Sequence, residues 1–213
     1  MNEKLLRILD YKFNKMVVRK PRLSDQLLEK NACQELETAK QAVSLLQKRY
    51  WPLVEGDIVC INATPVASYH NMVNSRGIGP NQETPAFDSF IGAIMQSRPM
   101  KVLSHEEAMK DLDVLQSATA LVVVTEDYPL PGEDFEKQAQ QQLVKMLCER
   151  YSEKLIVVGL RSPYELSLYP KHVTYLCAYS SRTCSAIAAA QVLLEGREMT
   201  AHVNVPVSVD FER

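Results

Sequence analysis

The chain has 213 residues, 46% hydrophobic and 23% charged, a composition that supports one sizeable globular core with an appendage. Lys+Arg 24 against Asp+Glu 26 is nearly balanced, so no electrostatic footprint points to nucleic acid or to an anionic membrane. The five cysteines are odd in number and most lie in apolar periodic segments, which predicts reduced core thiols rather than a disulfide framework. No apolar run approaches the length of a bilayer span, and Met1 to Asp10 is charged with no signal-peptide core. As written, the chain reads as cytoplasmic.

In chain order, Leu5, Leu6, Leu9 and Phe13 mark one face of a short basic helix. After a polar break, Ser24 is placed to cap a longer helix with Leu28, Ala32, Leu36, Ala39, Val43 and Leu46 at helical spacing. Residues 1–50 are therefore expected to form a helical arm or linker, and 51–213 the main domain. Asp57 to Ala63 predicts the first strand, followed by a long loop-like region to Thr84. Pro85 suits the first position of a helix whose buried face would be Phe87, Phe90, Ile91, Ile94 and Met95. Met100 to Leu103 predicts a short strand. Ser104 and Glu107 form a capping box for a helix with the stripe Ala108, Met109, Leu112 and Leu115.

Ala120 to Thr125 is a continuous apolar strand, and Phe135 to Tyr151 an amphipathic helix with Phe135, Ala139, Leu143, Met146 and Leu147 inward. The stretch from Lys154 to Ser185 is the centre of the pattern. Leu155 to Leu160 is a buried strand that Arg161-Ser162-Pro163 stops, because proline lacks a donor and restricts Ser162 to extended geometry. A helical turn from Tyr164 to Tyr169, a second strand from Val173 to Ala178 and an Ala-rich helix opened by Ser180-Ser181-Arg182 complete it. Strand and helix alternate with no internal repeat. That predicts a three-layer α/β/α sandwich with a mostly parallel, flavodoxin-like sheet, plus the N-terminal helices.

In an open parallel sheet, ligands bind beyond the carboxyl ends of the strands. The loops there carry Glu126, Asp127 and Tyr128, then Arg161 and Ser162, then Ser180, Ser181 and Arg182 after Tyr179. These are the candidate ligand-contact residues. Glu126, Asp127, Glu133 and Asp134 are the clustered acids of one such loop, yet Glu133 and Asp134 suit a helix's first turn, where the macrodipole favours anions. Ser180-Ser181 before Arg182 is read as an N-cap ahead of an anion site. The sequence holds no GxGxxG, no GxxxxGK[ST], no GxSxG, no HExxH and no CxxC, and His70, His105, His172 and His202 are scattered. No cofactor and no metal is expected.

The same stretch carries a family resemblance. VVGLRSPYELSLYP, the strand ending in LCAYS, the helix SAIAAAQVLLEG and the late Gly196 with Val205-Pro206-Val207 resemble the C-terminal domain of family 3 glycoside hydrolases. Within that family the closest branch is that of the β-N-acetylhexosaminidases, and Leu160 to Tyr164 is the most specific piece. Residues LLRILDYKFNK resemble the helix that ends the family's catalytic barrel, and ETAKQAVSLLQ the one that leads into its second domain.

The resemblance implies a domain that does not bear the nucleophile. Some members place an acid/base glutamate in this domain, in the loop after the strand matching ALVVVT and a few residues before a glycine; here the matching segment Asp127 to Gly132 has no glutamate three residues before Gly132. The hexosaminidase branch keeps both catalytic groups on the barrel, whose KHFPGHG-like motif is absent from this sequence. A barrel of about 250 residues also does not fit beside a sandwich in this chain. Glycoside hydrolysis needs two carboxyl groups roughly 5 to 10 Å apart across the bond, and the chain alone is expected to be inactive. The expected role is a non-catalytic accessory domain of an exo-glycosidase acting on amino-sugar polymers such as peptidoglycan fragments. Its expected partner is the barrel, in the same or another chain, or a second copy through the N-terminal helices. Two alternatives stand beside it: a carbohydrate-binding or loop-donating module that takes a saccharide, and a free-standing flavodoxin-like protein with its own ligand.

Overall fold

Runs of β-branched and aliphatic residues in this chain are four to six long, too short for core helices and suited to strands covered on both faces. The computed structural model describes residues 3–15, 24–68, 85–126 and 136–196. The elements are α1 (Glu3–Asp10, continued by a π-helical turn Tyr11–Lys15), α2 (Asp25–Ala42), β1 (Ser44–Gln47), β2 (Ile58–Asn62), α3 (Ala86–Met95) and β3 (Lys101–Leu103). They are followed by α4 (His105–Ala108), α5 (Leu112–Ser117), β4 (Ala120–Thr125), α6 (Lys137–Tyr151), β5 (Leu155–Gly159), a 3₁₀ turn (Pro163–Leu168), β6 (Thr174–Cys177) and α7 (Thr183–Glu195).

The sheet order is β1-β6-β5-β4-β2-β3, with every pair parallel except β1 on β6. The five parallel strands thus have a doubly wound order, and the chain reverses its direction of winding between β2 and β4. Side chains alternate across the sheet with period 2. Ile58, Cys60, Val122, Val124, Ile156, Val158 and Leu176 pack with Phe90 and Ile94 of α3 and Ala189 and Val192 of α7. Val59, Ile61, Leu121, Val123, Val157 and Tyr175 pack on the other face with Leu143 and Leu147 of α6 and Leu115 of α5. This is the expected three-layer α/β/α sandwich.

Several local expectations change. The helical spacing that runs on to Leu46 is cut at Ala42, and Leu45 and Leu46 enter β1 instead. The cause is tertiary. Thr174 Oγ1 accepts from the backbone N–H groups of Arg49 (3.0 Å) and Tyr50 (2.6 Å), while Gln47 Nε2 donates to the Pro170 carbonyl (2.9 Å). Satisfying the edge of β6 outweighs a weak local helix preference. Pro85 is the N-cap of α3, one place before the expected N1, and Met95 points out to solvent. The Ser104–Glu107 capping box is present, but its helix is split. Asp111 caps α5 through its side chain, leaving Met109 and Leu112 exposed while Ala108 and Leu115 are buried. α6 buries Gln140, Val144 and Cys148 beside Leu143 and Leu147. Phe135 and Val205 to Val207 lie outside the described residues.

The chain divides into two compact units, Met1–Cys33 and Gln34–Arg213. In the first, Leu5, Leu6, Leu9 and Phe13 of α1 and its π turn are exposed. In the second, Lys40 of α2 pairs with Glu195 at the end of α7 at 2.7 Å. Gly196, with φ +59°, then ends α7 in the left-handed conformation that favours glycine.

All five cysteines are free thiols; Cys60, Cys148 and Cys177 are buried, Cys184 is half-buried and Cys33 is exposed. Burial pushes the Cys148 and Cys177 thiols up to about 12 and Cys60 higher still. Because the thiolate is the reacting species, one fast reaction with a disulfide reagent at pH 8 is expected at Cys33, and a slower one at Cys184. The remaining three should label only in denaturant. Mass spectrometry of the labelled peptides checks this, and rapid native labelling of Cys60 would contradict the packing.

Candidate functional site

The carboxyl ends of β4, β5 and β6 are closed by a network of buried polar groups. Its origin is local. Ser162 sits in extended geometry before Pro163, and its Oγ accepts from Tyr164 N at 3.3 Å, which starts the 3₁₀ turn. The turn throws Tyr164 outward and Glu165 inward, where Glu165 is only 3% exposed. A carboxyl group so buried is tolerated only when its oxygens are hydrogen-bonded.

The partners come from three other elements. Thr125 Oγ1, at the end of β4, donates to Glu165 Oε2 at 2.5 Å, and Gln140 Nε2 of α6 donates to Oε1 at 3.1 Å. Tyr175 of β6 donates its hydroxyl proton to the Ser162 carbonyl at 2.9 Å and lies 3.4 Å from Glu165 Oε2. Burial first, and the neighbouring Glu165 second, hold the Tyr175 phenol well above its ordinary range. Gln140 Oε1 in turn accepts from Thr64 Oγ1 (3.0 Å) and from Glu126 N (3.2 Å), which fixes its amide one way round. Gly159 makes room for this arrangement: a Cβ there would overlap the Tyr175 hydroxyl and stand 2.8 Å from the ring Cζ.

Glu126 is 1% exposed, and its Oε1 accepts from Phe87 N at 3.2 Å, in the first turn of α3. Pro85, the N-cap, supplies no side-chain bond to that helix. Arg161 and Ser162 are half-buried beside the network, which Ser162 joins through its backbone carbonyl. Ser180 and Ser181 are half-buried and Arg182 is exposed. The expected serine N-cap is replaced: Arg182 occupies the cap position of α7, while Ser180 Oγ accepts from Arg182 N at 3.2 Å. Tyr179, at φ +60°, turns the chain between β6 and that segment, and burial raises its phenol above the ordinary range against the opposing effect of a hydrogen bond to Ser44. Asp127 and Tyr128 lie outside the described residues.

Thr64, Thr125, Gln140 and Glu165 were not among the residues singled out from sequence, while Tyr175, expected to be a packing residue, is fully buried. One signal was available: Gln140 stands three residues before Leu143 and seven before Leu147, on the buried stripe of α6. Glu165 had none, because inward direction in a 3₁₀ turn depends on what covers it.

The described part of the crevice is held together by hydrogen bonds within the domain. Its two carboxyl groups, Glu126 and Glu165, are buried and accept hydrogen bonds from Phe87 N and from Thr125 and Gln140. Among the described residues no group of His, Cys, Asp and Glu is placed to hold a metal ion, and no helix is long and apolar enough to cross a membrane. A separate open hollow of about 680 Å³, lined in part by Gly56, Asp57, Lys101 and Ser117, lies at the opposite, amino ends of β2 and β3.

No protein-family model matches the chain, and no curated protein matches it. Solved structures do match. One is a fungal multi-domain GH3 β-N-acetylglucosaminidase with a GCN5-related glucosamine N-acetyltransferase region, at TM-score 0.62 and 18% identity, covering 85% of this chain and 19% of that one. A second is a family 3 β-N-acetylglucosaminidase from Paenibacillus sp. str. FPU-7, at TM-score 0.57 and 15% identity, covering 88% of this chain and 34% of that one. A third is a family 3 β-glucosidase from Neurospora crassa, at TM-score 0.51 and 14% identity, covering 78% and 24%. The chain therefore has the fold of one segment of these enzymes and spans between 19% and 34% of their length.

Two variants probe the network. Glu165→Leu leaves the Gln140 and Thr125 donors unpaired and is expected to cost about 2–4 kcal/mol in urea unfolding, against a smaller loss for Glu165→Gln. Gly159→Ala forces Tyr175 to move and should cost about 1–3 kcal/mol, with the loss partly relieved when Tyr175→Phe is added.

Proposed function

We propose that this chain is the non-catalytic accessory domain of a family 3 glycoside hydrolase of the β-N-acetylhexosaminidase type, seated on a catalytic barrel that lies outside these residues. The observation that carries the proposal is the shared fold: most of this chain superposes on a minor part of two β-N-acetylglucosaminidases. The crevice chemistry supports it from the other side, since Glu126 and Glu165 serve hydrogen bonds within the domain. Amino-sugar polymers such as peptidoglycan fragments are the substrate class of the whole enzyme in this reading.

The exposed stripe of Leu5, Leu6, Leu9 and Phe13 is the part of the seam offered to the barrel. A continuous apolar face on a soluble helix calls for a cover, and the seam of a two-domain enzyme supplies one. The purified chain is expected to release no nitrophenol from nitrophenyl N-acetylglucosaminide. Turnover that persists through purification and is lost in Glu126→Gln would overturn the assignment. In a pull-down with the family 3 barrel of the same organism, retention should be lost when Leu9→Asp and Phe13→Asp are combined.

A further inference from the structure

The winding of the sheet reverses between β2 and β4, and α3 lies between β2 and β3 in chain order. In doubly wound proteins an anionic ligand is held at this place, where backbone N–H groups and the helix dipole of such a helix meet it. Here a side chain of the domain itself is already there. Glu126 leaves β4 directly, its N–H held by Gln140 Oε1 at 3.2 Å, and its carboxyl group reaches Phe87 N at 3.2 Å. The pairing of β2 with β4 continues one residue past β2, with Ala63 N donating to the Val124 carbonyl at 2.9 Å, so a further bond ties the two strands at this end. Pro85 brings no side-chain cap of its own, which leaves that role to a residue 39 positions away in sequence.

We infer that Glu126 is the resident anion of this crevice: a positioning residue whose carboxylate takes the place of an external anionic ligand at the start of α3 and holds that helix in register against α7. The inference goes beyond the accessory-domain reading and does not rest on it. It bears on the flavodoxin-like alternative, because a phosphate-bearing ligand would have to displace a buried carboxylate at the position where such folds hold phosphate.

The test is rescue by a small carboxylate. Thermal unfolding of the whole chain is measured for the wild type, Glu126→Ala and Glu126→Gln, with sodium formate titrated against sodium chloride at equal ionic strength. Glu126→Ala should lower Tm by about 2–4 °C, the scale of a lost helix cap in a chain of this size. Formate should recover that loss in Glu126→Ala and leave the wild type and Glu126→Gln no different from their chloride controls. An unchanged Tm in Glu126→Ala, or equal responses to formate and chloride, would overturn the inference. If Glu126→Ala does not fold, hydrogen exchange at the Phe87 amide in Glu126→Gln decides: faster exchange than in the wild type supports the role, and equal exchange refutes it.

Discussion

A single buried carboxyl group governs how the carboxyl end of this sheet is built. Glu165 lies in a 3₁₀ turn, and its oxygens are met by donors from β4 and α6, with the Tyr175 hydroxyl of β6 beside them. Burying such a group costs several kcal/mol unless its donors are in place, so these elements must arrive together. The need propagates. Tyr175 lies where a Cβ at residue 159 would stand, so the neighbouring strand must carry glycine there, and Gln140 must occupy an otherwise apolar stripe of α6. Side chains that look unrelated along the chain are thus parts of one constraint.

Glu126 does similar work one strand further along. Both carboxyl groups lie at the end of the sheet where an open parallel sheet usually receives its ligand, and both accept hydrogen bonds from the domain itself. β4, β5 and β6 are joined beyond their last ladder bonds by Leu160 N to the Thr125 carbonyl (3.0 Å) and Ala178 N to the Gly159 carbonyl (2.9 Å).

The far edge of the sheet is stitched by side chains rather than by a long ladder. β1 is short and irregular in register, and Thr174 and Gln47 supply the bonds that keep the following segment on the domain. The fold alone does not name a function, since the same layers serve many chemistries. The accessory-domain reading draws on the combination of internally hydrogen-bonded carboxyl groups at the end of the sheet, exposed apolar residues on α1 and a shared fold with parts of much longer enzymes.

The sequence by itself determined the architecture. Apolar runs such as Ala120 to Thr125 and Leu155 to Gly159 are too short for helices and too apolar for one-sided strands, and helices alternate with them, so a parallel sheet between helical layers is the arrangement that buries both. The Ser104–Glu107 box and the break at Pro163 were legible for the same reason, since each depends on neighbours within a few residues. Only the tertiary structure decided the rest. Whether Leu45 and Leu46 continue a helix or pair with β6, and whether Glu165 faces water or Thr125, depends on groups more than 30 residues away in sequence. Local spacing carries no record of such contacts, because a polar residue is buried only where distant donors converge on it.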